Sequence, residues 1–577
     1  MNRPLTDIHL TERRSNVQVC LLFTKQQEHS ENGQVFEGPR NTPLESFLRF
    51  AFPDCDDPPV AGIIDGKLRE LTQPITHDVD VEPVFLSDSD GIRIYCRTLS
   101  FLLIVATHQL YPDARLFIDY SVPYGGYFCK VEGRESFSSQ ELRAIRTRME
   151  QLVDKNLPIR QENLLLEEAC SLLAARGEKS QVQLLRRYQK KDISLYTLAG
   201  FSDYFYGHML PSTGYLTRFA LEPFAGGFVL RFPRREEPTK IAPAQSFTVL
   251  REVFSEYGQW LSLLDVRHVG DLNEAISTGR IEEIMLVSEA LHEGKIAQIA
   301  RSLTEHYTDG YRTVFIAGPS SSGKTSFAKR LAVQLLAHGV STHLLSLDDY
   351  FLPYDQLPRD AQGEVNFDAL SALDLPLFAR HLCDLLADKS VNQPHFDFLT
   401  GERKKGLSIR LTKDQLVLIE GIHALNPELL RAGRQEKVLR IFVSAITQLN
   451  LDSHNRISTT DTRLIRRIVR DALFRGYSAE ETLSLWKNVR RGEKENIFRY
   501  QEEVDVMFNS ALVYELSVLK PFAEPLLLQV RDPKRRVEAE RLLSFLQWFE
   551  VYESDAIPNN SILREFIGGS ILADFRL

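Results

Sequence analysis

The stretch Thr313-Val-Phe-Ile-Ala-Gly318-Pro-Ser-Ser-Ser-Gly323-Lys324-Thr325-Ser326 runs from an apolar strand through a glycine-rich turn into an amphipathic helix. Its G-x-x-x-x-G-K-T spacing predicts a P-loop. Gly318 and Gly323 let the turn wrap until successive backbone N–H groups face an anion. The helix that follows, over Ser326 to Leu336, points its N-terminus at the same anion. The expected phosphate-binding set is Gly318, Pro319, Ser320, Ser321, Ser322, Gly323, Lys324, Thr325 and Ser326. Lys324 can reach the outer phosphates of ATP, and the Thr325 hydroxyl can hold Mg²⁺. A nucleoside triphosphate is the expected ligand.

At 577 residues the chain exceeds one ordinary core, and about three to four domains are expected. It is 43% hydrophobic and 25% charged, without a low-complexity tract, which is the composition of a folded soluble protein. A net charge of −9 gives no reason for bulk binding to nucleic acid or an anionic membrane. The longest apolar runs, such as Phe101 to Ala106, are too short to span a bilayer. Residues 1–14 are polar and lack the apolar core of a signal peptide. Six scattered cysteines, none in a CxxC pair, read as reduced thiols. A cytoplasmic location is expected.

Outward from the loop, the chain divides into a polar tail (1–14), a small α+β unit (15–88), a longer α+β region (89–240), a helical connector (241–305) and a strand–helix alternation (306–577). In the second region, helices are expected near 95–110 and 138–155, with strands near 114–120, 126–131 and 227–232. The charged, proline-containing segment Arg234 to Lys240 is a plausible boundary. Strands at 313–317, 342–346, 416–420 and 438–443, separated by helices, predict a mainly parallel, doubly wound α/β sheet. A further helix is expected at 535–550.

Three downstream features carry chemistry. Leu344-Leu-Ser-Leu-Asp348-Asp349 ends a strand in two carboxylates, at the edge where ligands sit in open α/β sheets. A carboxylate there can accept the proton of an attacking hydroxyl. Taken alone, the pair also fits an acidic turn. Leu416-Val-Leu-Ile-Glu420-Gly421 offers a metal-holding or water-ordering carboxylate, or a simple strand end. Arg463, Arg466, Arg467 and Arg470 recur at helical spacing. Across residues 461–500 there are ten Lys/Arg against six Asp/Glu. Such a face is either solvated or a lid that closes over transferring phosphates.

In this order the motifs resemble the phosphoribulokinase/uridine kinase family of P-loop kinases. The resemblance covers roughly residues 310–530. It rests on Gly318 to Thr325, Asp348, Asn366-Phe367-Asp368, Pro394-His-Phe-Asp397-Phe, Glu420-Gly421 and Arg467-x-x-Arg470-Asp471-x-x-x-Arg475-Gly476. It implies an ATP-dependent phosphotransferase with an alcohol acceptor. Asp348 would be the general base for a nucleoside 5′-hydroxyl, and Asp368 would hold ribose hydroxyls. Tyr350, Phe396 and Arg467 would complete the substrate site. Thr325 and Glu420 would organise Mg²⁺, while Lys324, Arg467, Arg470 and Arg475 serve the phosphates. Three positions depart from the family. Phe396 and Gly401 stand where uridine kinases usually place Tyr and His, and Tyr477 replaces a further lid arginine.

Residues 15–240 resemble the N-terminal region of threonyl-tRNA synthetases. Residues 15–88 are similar to a TGS domain, with its hairpin in Val60 to Leu71. Residues 89–240 are similar to the editing-type domain, most clearly at Phe201 to Gly214. Arg97, Phe101, Phe205 and Met209 fall where that domain's catalytic residues would stand, so the hydrolytic set is expected to be lost and His208 to be structural.

Three readings follow. The first is a nucleoside kinase acting on uridine or cytidine. The second keeps the fold with a sugar phosphate as acceptor, as in phosphoribulokinases, and the run Glu402-Arg403-Lys404-Lys405 would suit that anion. The third is an ATP-switched regulatory protein whose N-terminal half binds RNA. Related kinases commonly form homo-oligomers, and no interface is specified in the sequence.

Overall fold

The computed structural model describes residues 15–22, 33–53, 55–188, 190–308, 310–359, 363, 365–397, 400–412, 415–432, 437–573 and 575. The polar tail and Phe23, Phe398 and Leu399 lie outside the described residues. Two compact units emerge, one of residues 1–176 and 190–245, the other of residues 177–189 and 246–577.

The first unit opens with a five-stranded sheet in the order Gln34–Pro39, Asn16–Leu21, Val79–Phe85, Pro59–Ile64, Lys67–Glu70. Leu44, Phe47 and Leu48 of the helix Leu44–Ala51 are buried in the same core as Val19, Leu21 and Val81. The helix Ser89–Leu110 then runs through the next core, where Leu99 to Ala106 are buried. A four-stranded sheet (Ala220–Phe224, Gly227–Arg231, Gly126–Glu132, Arg115–Ser121) and a three-stranded one (Phe201–Tyr204, Asp192–Leu198, Arg160–Leu165) complete it.

The second unit is built on five parallel strands ordered Thr342–Ser346, Leu416–Glu420, Thr313–Ala317, Val438–Ser444, Val506–Asn509. Every residue of Thr313–Ala317 and Leu416–Glu420 is buried. Strands covered on both faces read as continuous apolar runs, which is why these two were visible in the sequence. The helix Lys324–Ala337 packs through Phe327 on Phe508, with ring centroids 4.7 Å apart. The connector expected at 241–305 forms three helices, Thr248–Leu263, Val269–Thr278 and Ile281–Thr308. The last of these is tied to the P-loop helix: buried Arg330 lies 2.6 Å from Glu293 and 3.4 Å from Glu289.

Residues 177–189 were not foreseen as part of this unit. Their helix Lys179–Leu185 lies on Val269–Thr278, and Tyr188 stacks on Trp548 at 4.7 Å and 9°. The hairpin Val391–Asp397/Glu402–Ile409 was also missed, because Glu402–Ile409 has no buried face and hence no alternation to read.

Candidate active site

The P-loop conformation follows from close packing. A Cβ at Gly318 would stand 2.2 Å from the Val443 carbonyl oxygen, so no side chain fits there. Gly323 takes φ +80° and Ser321 φ +59°, which curls the loop into a concavity of N–H groups. The hydroxyls of Ser321 and Ser322 are buried, without a hydrogen-bond partner among the described residues. The Lys324 ammonium makes no hydrogen bond or ion pair among the described residues, and its charge acts on Asp368 and Glu420.

The acidic pair after the second strand divides its roles. Asp349 accepts from the Phe396 amide at 3.2 Å and from Gln393 Nε2 at 3.3 Å, with His395 Nδ1 3.1 Å away. It anchors the hairpin. Asp348 has no such partner among the described residues, so its carboxylate is available to a ligand. In the adjoining strand, Ser346 donates to Glu420 Oε1 at 2.7 Å, whereas Oε2 is buried and unpartnered. A hard, unpaired carboxylate oxygen near Lys324 and Asp348 suits Mg²⁺, which keeps most of its ligands as water and phosphate. Among the described residues no three His, Cys, Asp or Glu side chains form a metal cage.

Burial pushes Glu420 up to about 7, with Lys324 pulling down and Asp348 pushing up. Burial likewise pushes Asp368 to about 7, against the pull of Arg467. The ligand-free folded protein therefore holds protons that the unfolded chain releases between about pH 4 and 7. The stability these two groups contribute is lost as pH rises through that window. The melting temperature of wild type relative to Asp368→Asn should fall between pH 5.5 and pH 8, as read by scanning calorimetry without ligands. A difference that stays constant would contradict the assignment.

The arginine helix, Thr459–Phe474, differs from a uniform basic face. Arg463 is 1% exposed and Arg466 0%. Arg463 is ion-paired with Glu493 and donates through Nε to the Ser320 carbonyl at 3.0 Å. Arg466 is paired with Glu515 and donates to the Ser510 carbonyl at 2.9 Å. These two are struts under the loop. Arg467 donates to Ser320 Oγ at 2.8 Å and to Asp471 at 3.1 Å. Arg470 lies 2.8 Å and Arg475 3.9 Å from the same Asp471. Glu493 also accepts from the Ser320 amide at 3.0 Å, so all three polar groups of Ser320 are held by this helix and the next, Ala479–Asn496.

Two expected substrate residues are packed into the interior. Tyr350 is fully buried, with its hydroxyl 3.2 Å from His381 Nδ1 and its ring edge-on to Phe378. Phe396 is buried against Phe351 with centroids 5.6 Å apart. Asp368 abuts Gly492, where a Cβ would stand 2.3 Å from Asp368 Cβ. Its charge environment includes Lys324, Asp348 and Arg467.

Residues 313–516 match the Phosphoribulokinase / Uridine kinase family. The N-terminal part is related to threonine–tRNA ligases. The ligase of Acidithiobacillus ferrooxidans (strain ATCC 53993 / BNL-5-31) is 34% identical over 170 residues, 29% of this chain and 26% of the ligase. That of Halorhodospira halophila is 32% identical over 170 residues, 29% and 26% respectively. The chain thus spans about a quarter of the length of these curated relatives. A solved structure described as "Possible Uridine Kinase from Bacillus stearothermophilus" is 18% identical, covering 37% of this chain and 98% of that one, at a TM-score of 0.27. That likeness is too slight to bear on the site.

Beyond the family-matched residues, the C-terminal segment reaches the loop of the kinase region. Glu565 accepts a hydrogen bond from the Ser326 amide at 3.1 Å, at the start of the P-loop helix. Ile562 lies against Gly323, and Lys329 donates to the Leu572 carbonyl at 2.6 Å. No sequence signal marked Glu565, which is 239 residues from its partner. An incoming phosphate would compete with this carboxylate for the helix N-terminus. Glu565→Gln is expected to tighten ADP binding about fivefold by titration calorimetry, equivalent to about 1 kcal/mol. Weaker binding in the variant would show that Glu565 assists the nucleotide instead.

In the first unit, the positions where the resemblance would put a hydrolytic set are filled by packing. Phe101 is fully buried with its ring 5.1 Å from Phe205, and Met209 is buried in the same core. Arg97 donates to the His208 carbonyl at 2.6 Å. It also lies against Gly207, where a Cβ would be 2.7 Å from its guanidinium. His208 Nδ1 is 3.5 Å from Glu70, which also accepts from Tyr196 and the Met209 amide.

Proposed function

We propose that the protein transfers the γ-phosphoryl group of ATP to the 5′-hydroxyl of a nucleoside, uridine or cytidine. The observation that carries this reading is that, among the described residues, neither the Asp348 carboxylate nor the ammonium of the P-loop lysine has a partner. When bound, ATP supplies the phosphoryl group and Mg²⁺ neutralises its charge. Lys324 draws the outer phosphates into the loop, while Thr325 and Glu420 would hold the metal. Asp348 accepts the hydroxyl proton as the new P–O bond forms and the bond from the γ-phosphorus to the bridging oxygen breaks, releasing ADP. Asp368 fixes neighbouring hydroxyls, and Arg467, Arg470 and Arg475 offset charge on the transferring group.

A sugar-phosphate acceptor has less support. Arg403 is paired with Asp374 at 2.9 Å and Lys404 with Asp397 at 2.6 Å, so two of the three cations in that run are already neutralised. The first unit is proposed to keep an editing-type shape without hydrolysis. Among the described residues no helix is long and apolar enough to cross a membrane.

ADP release in the presence of Mg²⁺ against uridine, cytidine and ribulose 5-phosphate tests the reading. Stimulation by uridine or cytidine is expected. Stimulation by the sugar phosphate alone would select the phosphoribulokinase-like alternative. ATP use that no acceptor stimulates, with tRNA bound at micromolar affinity, would favour a regulatory role.

A further inference from the structure

We infer that His423 is an acceptor-recognition residue, holding a hydroxyl of the acceptor beside the one that Asp348 deprotonates. This rests on the kinase reading above.

His423 follows Glu420 and Gly421 at the carboxyl end of a central strand, where open parallel sheets bind their ligands. The residue is 1% exposed, and among the described residues neither Nδ1 nor Nε2 has a well-formed hydrogen bond, the Ala369 carbonyl being the one polar group that approaches the ring. Buried polar groups in folded proteins are nearly always paired, and each unpaired one costs about 1–3 kcal/mol. Such a ring is either waiting for a ligand or solvated by a trapped water. Its surroundings favour the ligand. The charge of Asp348 acts on it, as does the carbonyl of Ala369, next to Asp368. It therefore lies near Asp348 and against the backbone segment that carries Asp368.

The chemistry of the ring narrows the partner. Burial lowers His423 to about 4, so the imidazole is neutral, with one donor and one acceptor nitrogen. A hydroxyl, itself donor and acceptor, can satisfy either nitrogen. An anion could use only the N–H, which the Ala369 carbonyl already approaches, whereas a hydroxyl can donate to the bare nitrogen. With Asp368 accepting from further hydroxyls, the pocket fits an uncharged polyol such as a ribose ring. It does not fit a second phosphate.

The test compares uridine, 2′-deoxyuridine and 3′-deoxyuridine as acceptors for wild type, His423→Phe and His423→Gln. Wild type is expected to prefer uridine over one deoxynucleoside by about tenfold or more in kcat/KM. His423→Phe should bring that ratio to about twofold by raising the KM for uridine, with the KM for ATP unchanged. His423→Gln, which keeps a donor and an acceptor, should recover part of the discrimination. Undiminished discrimination in both variants would overturn the assignment and leave the kinase reading standing. So would an equal rise in the KM for ATP. If wild type phosphorylates none of the three, the nucleoside reading fails before any variant is made, and this assignment falls with it.

Discussion

Lys324→Ala is expected to lower acceptor-dependent ADP release about 10³-fold while shifting the melting temperature by no more than about 2 °C. Both halves follow from one observation. Among the described residues the ammonium makes no hydrogen bond or ion pair, so its removal leaves nothing in the fold unpaired. Its charge acts on Asp368 and Glu420 instead, inside the site. Near-normal turnover in the variant would remove the P-loop assignment. A collapse of stability would mean that the lysine has a structural role.

Asp348→Asn is expected to lower kcat by about 10²–10⁴-fold with ATP affinity within about twofold of wild type. Asparagine keeps the size of the side chain and removes its capacity to take a proton. Asp349→Asn provides the contrast. That carboxylate accepts from Phe396 and Gln393, so its loss should cost about 1–3 kcal/mol of stability through the hairpin, with a smaller effect on kcat. Measuring kcat, ATP affinity and melting temperature for both variants separates base from anchor. If Asp349→Asn lost the turnover and Asp348→Asn kept it, the roles would be exchanged.

What was legible in the sequence was local. The strand, turn and helix of the P-loop are contiguous, and their apolar run, glycines and lysine state the fold and the phosphate site together. Asp348 and Asp349 were legible as a pair but not as individuals. Only the three-dimensional position of the hairpin shows that Asp349 is engaged while Asp348 has no partner among the described residues. The arginine helix was read as a basic face because 3.6-residue spacing cannot distinguish a buried arginine from an exposed one. The partners that draw Arg463 and Arg466 inward, Glu493 and Glu515, lie 30 and 49 residues further along the chain.

Glu565 and residues 177–189 were illegible for the same reason, since long-range contacts leave no period in the sequence. In the first unit the residues at the positions the resemblance singles out could be read from the sequence, but their packing could not: Phe101, Phe205 and Met209 are buried in one apolar core.

The most direct test follows the label from γ-³²P-ATP in the presence of Mg²⁺ and uridine or cytidine. The label should appear in a nucleoside 5′-monophosphate, one equivalent per ADP formed, and disappear from that product in Asp348→Asn. Label found only in inorganic phosphate, whatever hydroxyl compound is supplied, would contradict phosphoryl transfer to an acceptor at Asp348.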